Sequence, residues 1–76
     1  MSKFIKTLGL DEATRLDVVS STISYVGKAT VASLTSTAVW KISRLTSTAG
    51  GSVTIEYADS GNYTQVWDNR TSLNYS

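Results

Sequence analysis

From Thr22 onward, apolar and polar positions alternate along the chain. Thr22-Ile23-Ser24-Tyr25-Val26 alternates from Thr22 to Tyr25, a period of two that marks a half-buried strand. Gly27 interrupts the run, which predicts a bulge or a close backbone approach at that point. Residues 29–37, Ala-Thr-Val-Ala-Ser-Leu-Thr-Ser-Thr, read as a small-residue loop or a weak strand. Alternation resumes from Val39 to Thr46, with Trp40 and Ile42 on one face and Val39, Lys41, Ser43 and Leu45 on the other. Gly50-Gly51 then signals a turn, because glycine accepts positive φ without steric cost. Val53, Ile55 and Tyr57 share one face of the next run, and the expected core of the hairpin is Trp40, Ile42, Val53, Ile55 and Tyr57, with Trp67. Asp59-Ser60-Gly61-Asn62 is a second turn, Tyr63 to Trp67 a further strand, and Leu73 to Tyr75 a terminal segment.

Four or five short strands with turns every eight to twelve residues predict an all-β fold, a small antiparallel β-barrel or sandwich. Residues 1–19 follow a different pattern. Phe4, Ile5, Leu8 and Leu10 are apolar at mixed spacing, and Asp11-Glu12-Ala13-Thr14-Arg15-Leu16 resembles a helix start too short to stand alone in water. The expected division is an N-terminal arm, residues 1–19, and an antiparallel β-domain, residues 20–76. The apolar arm residues Phe4, Ile5, Leu8 and Leu10 are candidate contacts to a partner subunit, each worth roughly 1.5–3 kcal/mol if fully buried, before ordering costs.

Composition sharpens the expectation of assembly. A 76-residue chain is one domain at most, and chains of that size bury only about 60% of their unfolded surface. The usual reinforcements are disulfides, a structural metal or other chains. Cys and His are both absent, so disulfides are excluded and the ordinary zinc ligands are missing. Ser and Thr together make up 23 of the 76 residues, whereas charged residues are only 17%, which leaves strand edges thinly protected against pairing with other chains. Two Trp, four Tyr and one Phe, with no Pro, argue for a folded chain rather than a Ser/Thr linker. Charge is uneven: residues 1–50 carry six basic and three acidic groups, and residues 51–76 one basic and three acidic, +3 against −2. No run approaches the length of a membrane span, and the start carries no apolar stretch of signal-peptide length, so synthesis in a cytoplasm is expected.

Catalytic chemistry finds little to work with. Without His or Cys, neither the usual general base nor a thiolate nucleophile exists. The carboxylate pairs Asp59 with Asp68 and Asp11 with Glu12 sit in turn or arm contexts, where capping a backbone N–H is the commoner job. Gly27-Lys28 lacks the glycine-rich cradle of a phosphate loop, since Thr22 and Ala29 stand where that motif needs a glycine and a hydroxyl. The expectation is a non-enzyme with no cofactor and no metal. The competing function is a cytoplasmic β-barrel that binds single-stranded nucleic acid, with Arg44 and Lys28 as its contacts near Trp40 and Tyr25. Trp40 and Lys41 point to opposite faces of a strand, which weakens that basic aromatic patch.

Residues 22–76 carry one further signal. Tyr25-Val26-Gly27-Lys28-Ala29, the strand Ala38-Val39-Trp40-Lys41-Ile42 and Val66-Trp67-Asp68-Asn69-Arg70, with Thr71-Ser72-Leu73-Asn74-Tyr75-Ser76 after them, resemble small virion structural proteins of tailed bacteriophages. Where those proteins often carry Pro-Gly after the Gly-Lys-Ala element, this chain has Thr30-Val31-Ala32. The resemblance implies a β-rich part present in many copies on the virion. That part would be a capsid decoration or cement protein, or a neck- or tail-associated one, whose partners are other virion proteins or copies of itself in a homo-oligomer. Membrane and nucleic acid are not among the expected partners.

Overall fold

The computed structural model describes residues 12–76, which form one mostly antiparallel sheet with a C-terminal layer folded across one of its faces. The strands are β1 (Glu12–Val18), β2 (Ile23–Thr30), β3 (Ala38–Ser47), β4 (Val53–Tyr57) and the two-residue β5 (Gln65–Val66). Their order is β1-β2-β3-β4, and β5 pairs with the start of β3 beyond the reach of β4. The sheet is open and does not close into a barrel. Short 3-10 helices, Asp59–Gly61 and Trp67–Ser72, carry the chain from β4 over the sheet.

Strand β1 corrects the expected boundary at residue 19. Glu12 to Val18 pairs with β2 along its whole length, from Glu12 opposite Thr30 to Val18 opposite Ser24. The helix-like start misleads because Glu12 opens a strand. The alternation of Ala13, Arg15 and Asp17 against Thr14, Leu16 and Val18 is the stronger local signal. The turn from β1 to β2 is built by Ser20, whose Oγ accepts the N–H groups of Thr22 and Ile23.

Register decides which residues form the core. In β2 and β3, Gly27 lies opposite Ile42 and Tyr25 opposite Arg44, so Tyr25, Gly27, Ala29, Trp40, Ile42 and Arg44 share the inner face. The C-terminal layer covers that face. Trp67 lies against Trp40, ring centroids 5.9 Å apart, and Tyr75 against Tyr25 at 5.7 Å. Trp40, only 1% exposed, donates its indole N–H to the Leu34 carbonyl at 3.0 Å, which satisfies its one polar group inside the core. Gly27 does not bulge. It leaves room, because a Cβ there would sit 2.5 Å from Cε3 of Trp67.

Two arginines fasten the layers together. Arg70 donates Nε–H to Asp17 of β1 at 2.8 Å and lies over the Trp67 ring, 4.7 Å from its centroid. Arg44 of β3 pairs with Glu56 of β4 at 2.7 Å and stacks 4.9 Å from the Tyr75 ring. The Tyr75 hydroxyl donates to the Arg70 carbonyl at 2.6 Å, and Tyr57 and Ser76 exchange backbone hydrogen bonds. Burial of its ring, reinforced by Tyr25 and opposed by the two guanidinium groups, pushes the Tyr75 phenol up to about 12.

The hairpin core is corrected for three residues. Trp40, Ile42 and Trp67 are buried as expected, whereas Val53, Ile55 and Tyr57 are exposed on the opposite face. The loop from Thr48 to Ser52 sets a register in which Ser47 faces Val53, Leu45 faces Ile55 and Ser43 faces Tyr57. Odd-numbered residues of β4 therefore share a face with Leu45 rather than with Trp40. Gly51, at φ 85°, supplies the left-handed residue that this loop needs.

Candidate functional site

The same register builds a second surface, the outer face of the sheet. Reading across β1, β2, β3 and β4, one row is Leu16, Val26, Ser43 and Tyr57, and the next is Val18, Ser24, Leu45 and Ile55. Val53 extends the patch beside Ser47. An antiparallel sheet with one solvated face ordinarily alternates apolar inward and polar outward. This one is apolar on both faces. Leu16 is 66% exposed, Val18 65%, Val53 55% and Ile55 53%.

A groove of about 320 Å³ runs over this face, floored by Val26, Leu45 and Ile55 and flanked by Tyr57. At its upper end Lys28 and Lys41 stand directly opposite each other on neighbouring strands. Like charges in that relation repel, and among the described residues neither ammonium has a carboxylate partner within ion-pair distance. Lys41 Nζ instead lies 5.5 Å from the Tyr57 ring centroid and 5.8 Å from that of Tyr63. Tyr63 reaches across the same end and donates its hydroxyl to Glu12 at 3.1 Å, a hydrogen bond that raises the Tyr63 pKa. The surface is thus an apolar field closed at one end by a small cluster of cations and tyrosines.

The structure does not bring the nucleic-acid candidates together. Lys28 faces outward, whereas Arg44 lies on the inner face, held by Glu56, which raises its pKa through a direct hydrogen bond. Trp40 and Tyr25, the aromatic residues that would have to stack on bases, are buried in the core. Phe4, Ile5, Leu8 and Leu10 lie outside the described residues. The carboxylates Asp59 and Asp68 are spent locally or face solvent: Asp59 accepts the Thr64 hydroxyl and Asp68 is exposed in the first turn of its 3-10 helix. Among the described residues, no group of three or more Asp, Glu, His or Cys is placed to hold a metal ion, and no helix is long and apolar enough to cross a membrane.

The outer face escaped the sequence reading for a reason that can be named. Thr14, Leu16 and Val18 were assigned to an arm, and Val53, Ile55 and Tyr57 to the core, so no face remained to collect them. The parity of β3 and β4 positions across the Thr48–Ser52 loop is the signal that separates the two assignments. Comparison of the chain with protein-family models, with curated proteins and with solved structures gives no match.

Proposed function

We propose that this chain is a non-enzymatic structural subunit of a tailed-bacteriophage particle, a capsid decoration or a neck- or tail-associated part that holds other protein chains against its sheet. The observation that carries the reading is the outer face: Leu16, Val18, Val53 and Ile55 stand more than half exposed in one continuous field. Apolar patches of that kind mark sites of association with other chains. The outer edge of β4, which pairs with no other strand among the described residues, adds backbone groups beside the field. Tyr57 uses its outward N–H and C=O on Ser76, and by the alternation of an antiparallel ladder Ile55 and Val53 direct theirs to the same edge. The virion setting is supported by the resemblance of Tyr25-Val26-Gly27-Lys28-Ala29, the Trp40 strand and Val66-Trp67-Asp68-Asn69-Arg70 to small phage structural proteins.

Quantitative mass spectrometry of purified particles, from the phage that encodes the chain, tests the proposal. The expected result is the chain in fixed proportion to the major capsid protein, in the hundreds of copies for a capsid decoration or a dozen or fewer for a neck or tail part. Its loss from particles washed in high salt and density-purified, while it persists in the infected-cell lysate, is the opposing result.

A further inference from the structure

We infer that two copies of this chain pack outer face to outer face about a two-fold axis lying between the sheets and across the strands, so that each copy supplies the missing second layer of the other's sandwich. The inference rests on the reading of the outer face as a docking surface and names a second copy as its occupant.

Three features favour a second copy in this orientation. The first is shape. The outer faces of β1 to β4 form a continuous field in which rows of side chains follow one another at about 6.6 Å, and two such fields stack about 10 Å apart with strands aligned within about 30°. The second is charge, which selects the axis. An axis along the strands would set Lys28 and Lys41 of one copy over Lys28 and Lys41 of the other, four ammonium groups in one layer. An axis across the strands reverses one sheet end for end. Lys28 and Lys41 then lie over the partner's hydroxyl row, Thr22 and Ser47, while the row of Leu16, Val26 and Tyr57 lies on that of Val18, Leu45 and Ile55. The third is self-complementarity: the two central rows each carry three apolar or aromatic side chains and one serine. Val26 meets Ser24 and Leu45 meets Ser43 of the other copy, while Leu16 meets Val18 and Tyr57 meets Ile55, each contact occurring twice as an isologous interface requires.

Size sets the strength. Four strands at about 4.8 Å and some seven residues at about 3.3 Å give a face of roughly 440 Å² in plan, so two copies cover roughly 900 Å² or somewhat more, the range of reversible contacts rather than permanent ones. The dimer should therefore be visible by concentration dependence rather than as a fixed species.

The test uses the full chain. Sedimentation equilibrium from micromolar to millimolar protein is expected to show an average mass rising from 8.2 kDa toward twice that value, whereas Ile55→Lys and Leu45→Glu remain at the monomer mass with the wild-type far-ultraviolet circular dichroism. Because the chain has no cysteine, single replacements report the orientation. Ser24 sits beside the axis, so the two Ser24→Cys thiols lie about 7 Å apart along the strands, whereas the two Lys28→Cys thiols lie about 20 Å apart. A short bismaleimide should link Ser24→Cys efficiently and Lys28→Cys hardly at all, and the reverse order overturns the axis. A wild-type chain that stays monomeric at millimolar concentration overturns the dimer, as does a deletion of residues 2–10 that dimerises when the full chain does not, since the chain's own N-terminal segment would then be the occupant. Loss of Ile55→Lys from particles combined with a monomeric wild type leaves the structural-subunit reading standing with a different partner. A dimer formed by a chain that no particle contains keeps the dimer and ends the virion reading.

Discussion

A methyl group at position 27 would press on two tryptophans at once: its carbon would lie 2.5 Å from Cε3 of Trp67 and 3.1 Å from Cε3 of Trp40. Neither ring can retreat, because Trp40 is tied to Leu34 by its indole N–H and Trp67 is clamped beneath Arg70. Gly27→Ala is expected to cost about 1–3 kcal/mol, read from chemical denaturation, as overpacking of a filled site does. Gly50→Ala, with nothing within 4 Å of the added carbon, should stay within about 0.5 kcal/mol and serves as the control. Tyr75 makes a second prediction at this scale. Its phenol titrates at about 12 in the folded chain, above the ordinary value near 10. The neutral form is thus favoured by folding, so the contribution is complete below about pH 10 and is lost as pH rises from there toward 12. Thermal melts across that interval should show a steeper loss of stability for wild type than for Tyr75→Phe; equal slopes would contradict the burial argument.

At the scale of elements, the β3–β4 hairpin separates two kinds of apolar residue that look alike in sequence. Ile42 and Ile55 both sit in alternating runs, yet one is completely buried and the other half exposed. Ile42→Ala is expected to cost about 2–5 kcal/mol, as cavities in a packed core do. Ile55→Lys should cost less than about 1 kcal/mol, the span of strand propensity on a solvated face. Denaturant midpoints of the two variants check the ordering. The strands themselves are legible because period two is a direct image of the pleat: the alternation around Tyr25, Trp40 and Ile55 and the turn at Gly50-Gly51 stand in the sequence, whereas Gly27 faces two tryptophan rings rather than the bulge or backbone approach expected there. Pairing was not legible, because one residue more or less in the loop from Thr48 to Ser52 moves every side chain of β4 to the other face. The C-terminal strand was also overdrawn. Only Gln65–Val66 pairs in the sheet, and Trp67 starts a 3-10 helix, since its ring is needed over Gly27 rather than beside β3.

At the scale of the whole molecule, the described residues provide one cover for a sheet that has two apolar faces. Residues 67–75 fold over the inner face and are pinned there by Arg70 on Asp17 and by Tyr75 between Tyr25 and Arg44. The outer face carries Leu16, Val18, Leu45, Val53 and Ile55, with the Lys28 and Lys41 pair at its end. The absence of Cys and His in so short a chain is legible in the sequence and motivates the proposal of assembly; the apolar outer face is not legible there, because it exists only once the register is fixed. On the proposed reading, chains docked on the outer face would supply the apolar burial that a 76-residue chain lacks.

The most direct measurement is incorporation into phage particles of wild type and of Ile55→Lys, expressed together and counted by mass spectrometry in the same purified particles. With the fold of Ile55→Lys first checked by its denaturant midpoint, the variant is expected to be depleted at least about tenfold relative to wild type, the consequence of losing about 1.4 kcal/mol or more of contact. Equal incorporation of the two chains would contradict the claim that the outer face is where this protein is held.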